Sequence, residues 1–147
     1  MKEETSESFN SLRKHLVSLR QERERRKSET ERPKRSRLSA RDRELILEKS
    51  DARCHICGGK IDGLWQADHV LAHSRGGHHE RENYLASHAL CNNYRWDYLP
   101  EEFQVILKLG VWARTQIEIA TPIGRQIAES YLAKEQKRAT RRKAMKP

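Results

Sequence analysis

The chain has 147 residues, 35% of them hydrophobic and 35% charged, with a formal net charge of +9. That length suits one domain with tails, and so little apolar material allows only a small core, of the kind that usually needs a disulfide or metal staple. No run of about 18 apolar residues is present, which excludes a membrane-spanning helix; residues 1–30 lack the pattern of a secretory signal, so the expected location is a reducing cytoplasm, nucleoid-associated in a bacterium.

Residues 1–37 hold 12 Lys+Arg against 7 Asp+Glu, and residues 133–147 hold 7 against 1, whereas the middle, 38–132, is slightly acidic at 11 against 13. Basic ends on a nearly neutral middle suit arms that lie along a polyanion, although such tails also serve plain solubility. Within the first arm, Phe9, Leu12, Leu16 and Leu19 recur at helical spacing. From Arg20 to Arg37 apolar side chains vanish, and Pro33 interrupts any helix. Two readings follow: a mobile linker or basic arm over 20–37 that orders only on a partner, or one long solvated helix from Ser8 to Thr30 supported by pairs such as Glu22 with Arg26.

Ser39 is a good N-cap, with Asp42 three residues on and Leu45, Ile46 and Leu47 behind it, so a helix is expected over 39–51. Cys54-His-Ile-Cys57-Gly-Gly reads as a tight knuckle. Leu64, Trp65, Ala67 and Val70 suggest a strand over 64–70, Ser74 to His79 a loop, Asn83 to Ser87 the returning strand, and a helix begins near His88. Pro100-Glu101-Glu102 opens a further helix whose stripe runs Phe103, Ile106, Leu107, Ala113, Ile117, Ala120, with Gly110 as a point of bending or breakage. Thr121-Pro122 restarts a helix carrying Ile123, Ile127, Ala128 and Tyr131. The expected organisation is thus a basic arm at 1–37, a central domain at 38–99, a helical extension at 100–134 and a basic tail at 135–147.

Three cysteines cannot all pair within one chain. Cys54-x-x-Cys57 and His88-x-x-Cys91 instead form two half-sites for tetrahedral zinc, because a two-residue gap lets both side chains of a pair turn toward one ion. Four such ligands close the shell and make the ion structural. The competing reading is a surface His88 and a buried Cys91 thiol.

Between the half-sites the order is Asp68-His69, Gly76-Gly77, Asn83-Tyr84-Leu85, then His88-x-x-Cys91-Asn92. Over about 53–96 this resembles the HNH endonuclease motif. The resemblance implies an α+β fold, a ββα-metal (His-Me) finger with structural zinc flanked by helices. It also implies a metal-dependent endonuclease that hydrolyses DNA. By the same resemblance His69 is the general base, Asp68 and Asn92 hold Mg²⁺ or Mn²⁺, and Asn83 holds the loop that orients His69. Asn92 departs from the second histidine common at that position; an amide oxygen is a weaker ligand but suits a hard cation.

On chemistry alone, neighbouring strand residues point to opposite sides, so Asp68 and His69 are expected to do separate jobs, Asp68 turning toward Asn92 and His69 toward substrate. Arg75 and Arg95 are candidate phosphate clamps, with a structural salt bridge an equal reading for Arg95. His73, His78 and His79 are expected to be solvent-exposed, the alternative being that one of them touches the phosphate or the metal. Trp96, Tyr98 and Trp112 read as packing residues that join the finger to the C-terminal helices. The expected partner is DNA, double-stranded because phosphate contacts dominate, with a protein partner or a homodimer open through the terminal helices. A zinc-dependent DNA-binding module with a decayed site, or a partner-dependent nuclease subunit, is the rival function.

Overall fold

The structure is a computed structural model that describes residues 2–34 and 36–144, with side chains over 8–34 and 36–141. Residue 35 of the arm and residues 145–147 of the basic tail lie outside the described residues. The chain divides into two compact units, Met1–Glu102 and Phe103–Pro147. Among the described residues, no helix is long and apolar enough to cross a membrane.

The first unit opens with α1, Lys2–Glu29. Of the two readings of the arm, the helix is the one displayed. Its exposed face is laced by Glu22 with Arg25 and Arg26, at i,i+3 and i,i+4, which supports a helix otherwise poor in apolar residues. α2, Ala40–Lys49, starts as expected: the Ser39 hydroxyl accepts the Asp42 N–H at 3.0 Å, satisfying one of the helix's orphan donors. The finger follows. β1, Gln66–His69, pairs antiparallel with β2, Tyr84–Ser87, and α3, Ala89–Arg95, leads off β2. The two strands are shorter than the expected 64–70 and 83–87, although one bond in the same register, from the Val70 N–H to the Asn83 carbonyl at 2.9 Å, lies just beyond His69.

A small core of Ile46, Cys54, Ile61, Tyr84 and Ala86 sits between α2, the knuckle and β2. Asp68 faces inward at 6% exposure while its neighbour His69 is half-buried on the other face, as the strand's alternation requires. The Gly76-Gly77 pair is needed on two different grounds. Gly76 adopts φ +82, and a Cβ on Gly77 would lie 1.9 Å from the Leu71 carbonyl oxygen.

The second unit comprises most of α4, Pro100–Glu118, and α5, Pro122–Ala144. Gly110 does not break α4 into separate elements; one glycine costs a helix only about 1 kcal/mol. The turn between them is fixed by Thr121, whose hydroxyl accepts the Gly124 N–H at 3.0 Å and donates to the Gln116 carbonyl at 3.2 Å. Trp112 is 47% exposed on α4.

Candidate metal centre and nucleic-acid cleft

Cys54, Cys57, His88 and Cys91 converge, with one donor atom from each lying within 4.8 Å of all the others. A tetrahedral zinc shell with bonds of about 2.0–2.3 Å separates its donors by roughly 3.5–3.8 Å. The His88 Nδ1 lies 3.4 Å from Cys57 Sγ and 3.8 Å from Cys91 Sγ, close to that spacing. The imidazole is also held in the orientation that ligation needs. Its Nε2 meets the Lys60 carbonyl at 3.0 Å, which makes Nε2 the protonated nitrogen and leaves Nδ1 with its lone pair toward the sulfurs.

The backbone prepares the sulfur of Cys54. Burial raises its pKa, but N–H groups of His88, Cys57 and Ile56 aimed at the sulfur outweigh burial and draw it down to about 6. Cys91 is pushed up to about 12, by burial and then by the neighbouring thiols. Three thiols this close cannot all ionise unaided, and a cation among them removes the conflict. The cluster therefore fits a metal such as zinc, and the fold is compatible with a zinc-bound ββα finger.

Asp68 is reached from the knuckle and from α3. His55 Nε2 lies 2.7 Å from its Oδ2, and Arg95 Nη1 donates to both oxygens at 3.1 and 2.9 Å. Arg95 also donates to the carbonyls of His69 and Val70, tying α3 to the end of β1. The salt-bridge reading of Arg95 is thus the geometry observed. A carboxylate has about four acceptor positions, and these three contacts leave about one for a cation.

Asn92 donates its amide NH₂ to Gln66 Oε1 at 2.8 Å, so its oxygen remains the acceptor end. One carboxylate position and one amide oxygen thus remain as hard oxygen acceptors on the lining of the same cleft, the donor type that suits a hard cation.

Asp68, His69 and Asn92 line one cleft of about 360 Å³, together with His73, Lys27 and Arg32. His69 and Asn92 also line a second cleft of about 630 Å³, whose other walls include His79, Arg37 and Arg43. The pair therefore stands between two hollows, each with basic residues on its rim.

Asn83 fastens the loop that follows His69. Its side chain accepts the Leu71 N–H at 2.8 Å and donates to the carbonyls of Leu71 at 3.1 Å and His78 at 3.0 Å.

Of the loop histidines only His78 is fully exposed. Contrary to expectation, His73 and His79 turn inward, with ring centroids 5.8 and 4.8 Å from that of His69. Tyr84 packs 4.3 Å from His69, and its hydroxyl bonds His79 Nδ1. Arg75 is not brought to either cleft: half-buried, it reaches the Tyr98 carbonyl at 3.5 Å, and burial, then the charge of Arg95, lower its pKa.

Residues 54–95 match the family model described as HNH endonuclease. The chain carries an HNH domain. No curated protein and no solved structure matches the chain. The HNH domain contains every element just described from Cys54 to Arg95, including both halves of the metal cluster.

Two features of the HNH domain's setting were not visible in the sequence. His55, between the two knuckle cysteines, grips Asp68; its position inside the Cys-x-x-Cys pair is the one signal that could have singled it out. Arg23 of α1 is buried at 7% exposure, bonded to Glu102 at 2.9 Å and Asp97 at 3.3 Å. Its guanidinium carbon lies 4.5 Å from the Trp96 ring and 5.4 Å from that of Tyr98. Trp96 and Tyr98 thus pack, as expected, but against α1.

Proposed function

We propose that the chain is a metal-dependent endonuclease that hydrolyses DNA phosphodiester bonds. The observation that carries this reading is the convergence of Asp68, His69 and Asn92 on one cleft of the HNH domain, beside Lys27 and Arg32. A phosphodiester is an anion that needs a nucleophile at phosphorus and compensation for the charge that builds there. Basic rims on both hollows attract the backbone, and a half-buried imidazole between them meets a phosphate laid across.

His69 takes the proton from the attacking water at a ring nitrogen, a role for which imidazole is suited near neutral pH. Asp68 and Asn92 would hold Mg²⁺ or Mn²⁺, which when bound neutralises charge on the phosphate and the departing oxygen. Arg95 and His55 fix the Asp68 carboxylate so that its remaining position points one way. Asn83 keeps the following loop in place and so holds His69 at the edge of the strand. Zinc at the four-ligand cluster would brace knuckle and α3 and take no part in the chemistry.

The test is nicking of supercoiled plasmid with Mg²⁺ or Mn²⁺, comparing the wild type with His69→Ala. Nicking by the first and none by the second supports the reading. A second reading, a zinc-dependent DNA-binding module, is favoured by one observation, the engagement of Asp68 by two cationic or donor side chains. DNA binding by both proteins with cutting by neither selects it.

A further inference from the structure

Described residues between α1 and α2 lie against the candidate site: Arg32 lines one of its clefts, and Ser36, Arg37 and Leu38 line the other. Pro33 offers its carbonyl to His73 Nε2 at 2.9 Å. Thr30 sits against the Gly76 turn, where a Cβ on Gly76 would come within 3.2 Å of Thr30 Cγ2. Behind it, Arg23 anchors α1 through its two carboxylates and two aromatic rings.

Arg32 lines the cleft of about 360 Å³ and Arg37 the cleft of about 630 Å³, the two clefts that share His69 and Asn92 in their walls. Both are exposed, and neither makes an ion pair or hydrogen bond among the described residues. The other basic residues on these rims are already engaged. Lys27 pairs with Asp97 at 3.5 Å, and Arg43 stacks 4.3 Å from the Trp65 ring. Five residue steps separate Arg32 from Arg37, at most about 17 Å of extended chain. That spans a few phosphates of one strand.

We infer that Arg32 and Arg37 form a phosphate clamp at the site, gripping the DNA backbone on either side of the bond presented to His69. The inference rests on the nuclease reading for the bond between them, but the clamp itself is a statement about binding. Two uncommitted guanidinium groups on the two clefts that share one imidazole fix the register of a strand, which a diffuse basic tail does not.

The experiment uses the full chain and a fluorescein-labelled DNA duplex of about 20 base pairs. Anisotropy is recorded across a salt series for the wild type, for Arg32→Ala/Arg37→Ala, and for a control, Arg13→Ala/Lys14→Ala, on the exposed face of α1. Each lost phosphate contact lowers the slope of log K against log salt by about 0.9, so the clamp variant loses about 1.8 while the control loses less than half of that. In the nicking assay the clamp variant raises KM at least roughly tenfold with kcat held within about twofold. Zinc content and circular dichroism equal to wild type show that it is folded.

An unchanged slope in the clamp variant, or an equal loss in the control, overturns the clamp, as does a wild type that does not bind the duplex. A wild type that binds and never nicks sinks the nuclease reading, and the slopes still decide the clamp.

Discussion

His55 Nε2 lies 2.7 Å from Asp68 Oδ2, joining the metal knuckle to the one buried carboxylate of the cleft. His55 sits between two proposed zinc ligands, so whatever fixes the knuckle also fixes the carboxylate. His55→Ala is therefore expected to leave zinc content unchanged while lowering nicking by roughly 10–100-fold, the usual cost of losing a partner that orients a metal ligand. Elemental analysis and the plasmid assay on one preparation check both halves; full activity in the variant would show that Arg95 alone orients Asp68.

Zinc at the four-ligand cluster would have a larger effect. The core beside it is only Ile46, Cys54, Ile61, Tyr84 and Ala86. Binding at such a site is worth roughly 10–16 kcal/mol, comparable with the whole stability of a typical domain at about 5–15 kcal/mol. Cys57→Ser, or a strong zinc chelator, is expected to abolish the cooperative melting of the finger, read by the fluorescence of Trp65 in a chain carrying Trp96→Phe and Trp112→Phe. An unaltered melting curve after the metal has been stripped would show that the apolar core suffices.

Asn83 makes a prediction of a different kind. Its side chain makes three hydrogen bonds to the loop backbone, so Asn83→Ala frees the chain just beyond His69. Each bond is worth about 1 kcal/mol net. Nicking is expected to fall mainly in kcat, with DNA affinity near wild type, because the loop positions His69, the proposed base, and leaves the basic rims alone. A KM effect with kcat preserved would place Asn83 in binding.

How much of this was legible in the sequence divides by range. The Ser39 cap, the knuckle, the Gly76-Gly77 turn and the His88-x-x-Cys91 half-site each depend on residues a few positions apart, so spacing alone carries them. The inward turn of His73 and His79 and the grip of Arg95 on Asp68 depend on pairing across the finger. There local polarity pointed the histidines to solvent and left Arg95 open between two readings. Arg23 is the extreme case. It sits in a charged run beside Arg25 and Arg26, which pair with Glu22 on the surface, and nothing local distinguishes it. Its partners Asp97 and Glu102 lie more than 70 residues away.

That buried arginine supplies the last prediction. Removing one partner of a buried ion pair costs about 3–5 kcal/mol, because the carboxylates left behind lose their counter-charge while still desolvated. Here Glu102 would be left without its counter-charge and Asp97 with only Lys27 at 3.5 Å, their side-chain exposures being 7% and 13%, and the Trp96 face would lose its nearer cation. Arg23→Ala is thus expected to release α1 from the finger while the knuckle, α2 and the strands, which do not touch Arg23, stay folded. Hydrogen exchange over α1 should accelerate to that of an isolated helix, and exchange at Ala86 and Ile46 should stay slow. Zinc content should be unaffected. DNA affinity should drop although Arg23, being buried, cannot itself reach a phosphate, because Lys27 and Arg32 depend on α1 for their place on the rim. Arg23→Lys keeps the charge but not the two-pronged planar contact with both carboxylates and the ring, so it should restore only part of the binding. Wild-type affinity in Arg23→Ala, with α1 exchanging freely, would mean that the docked arm has no part in holding DNA.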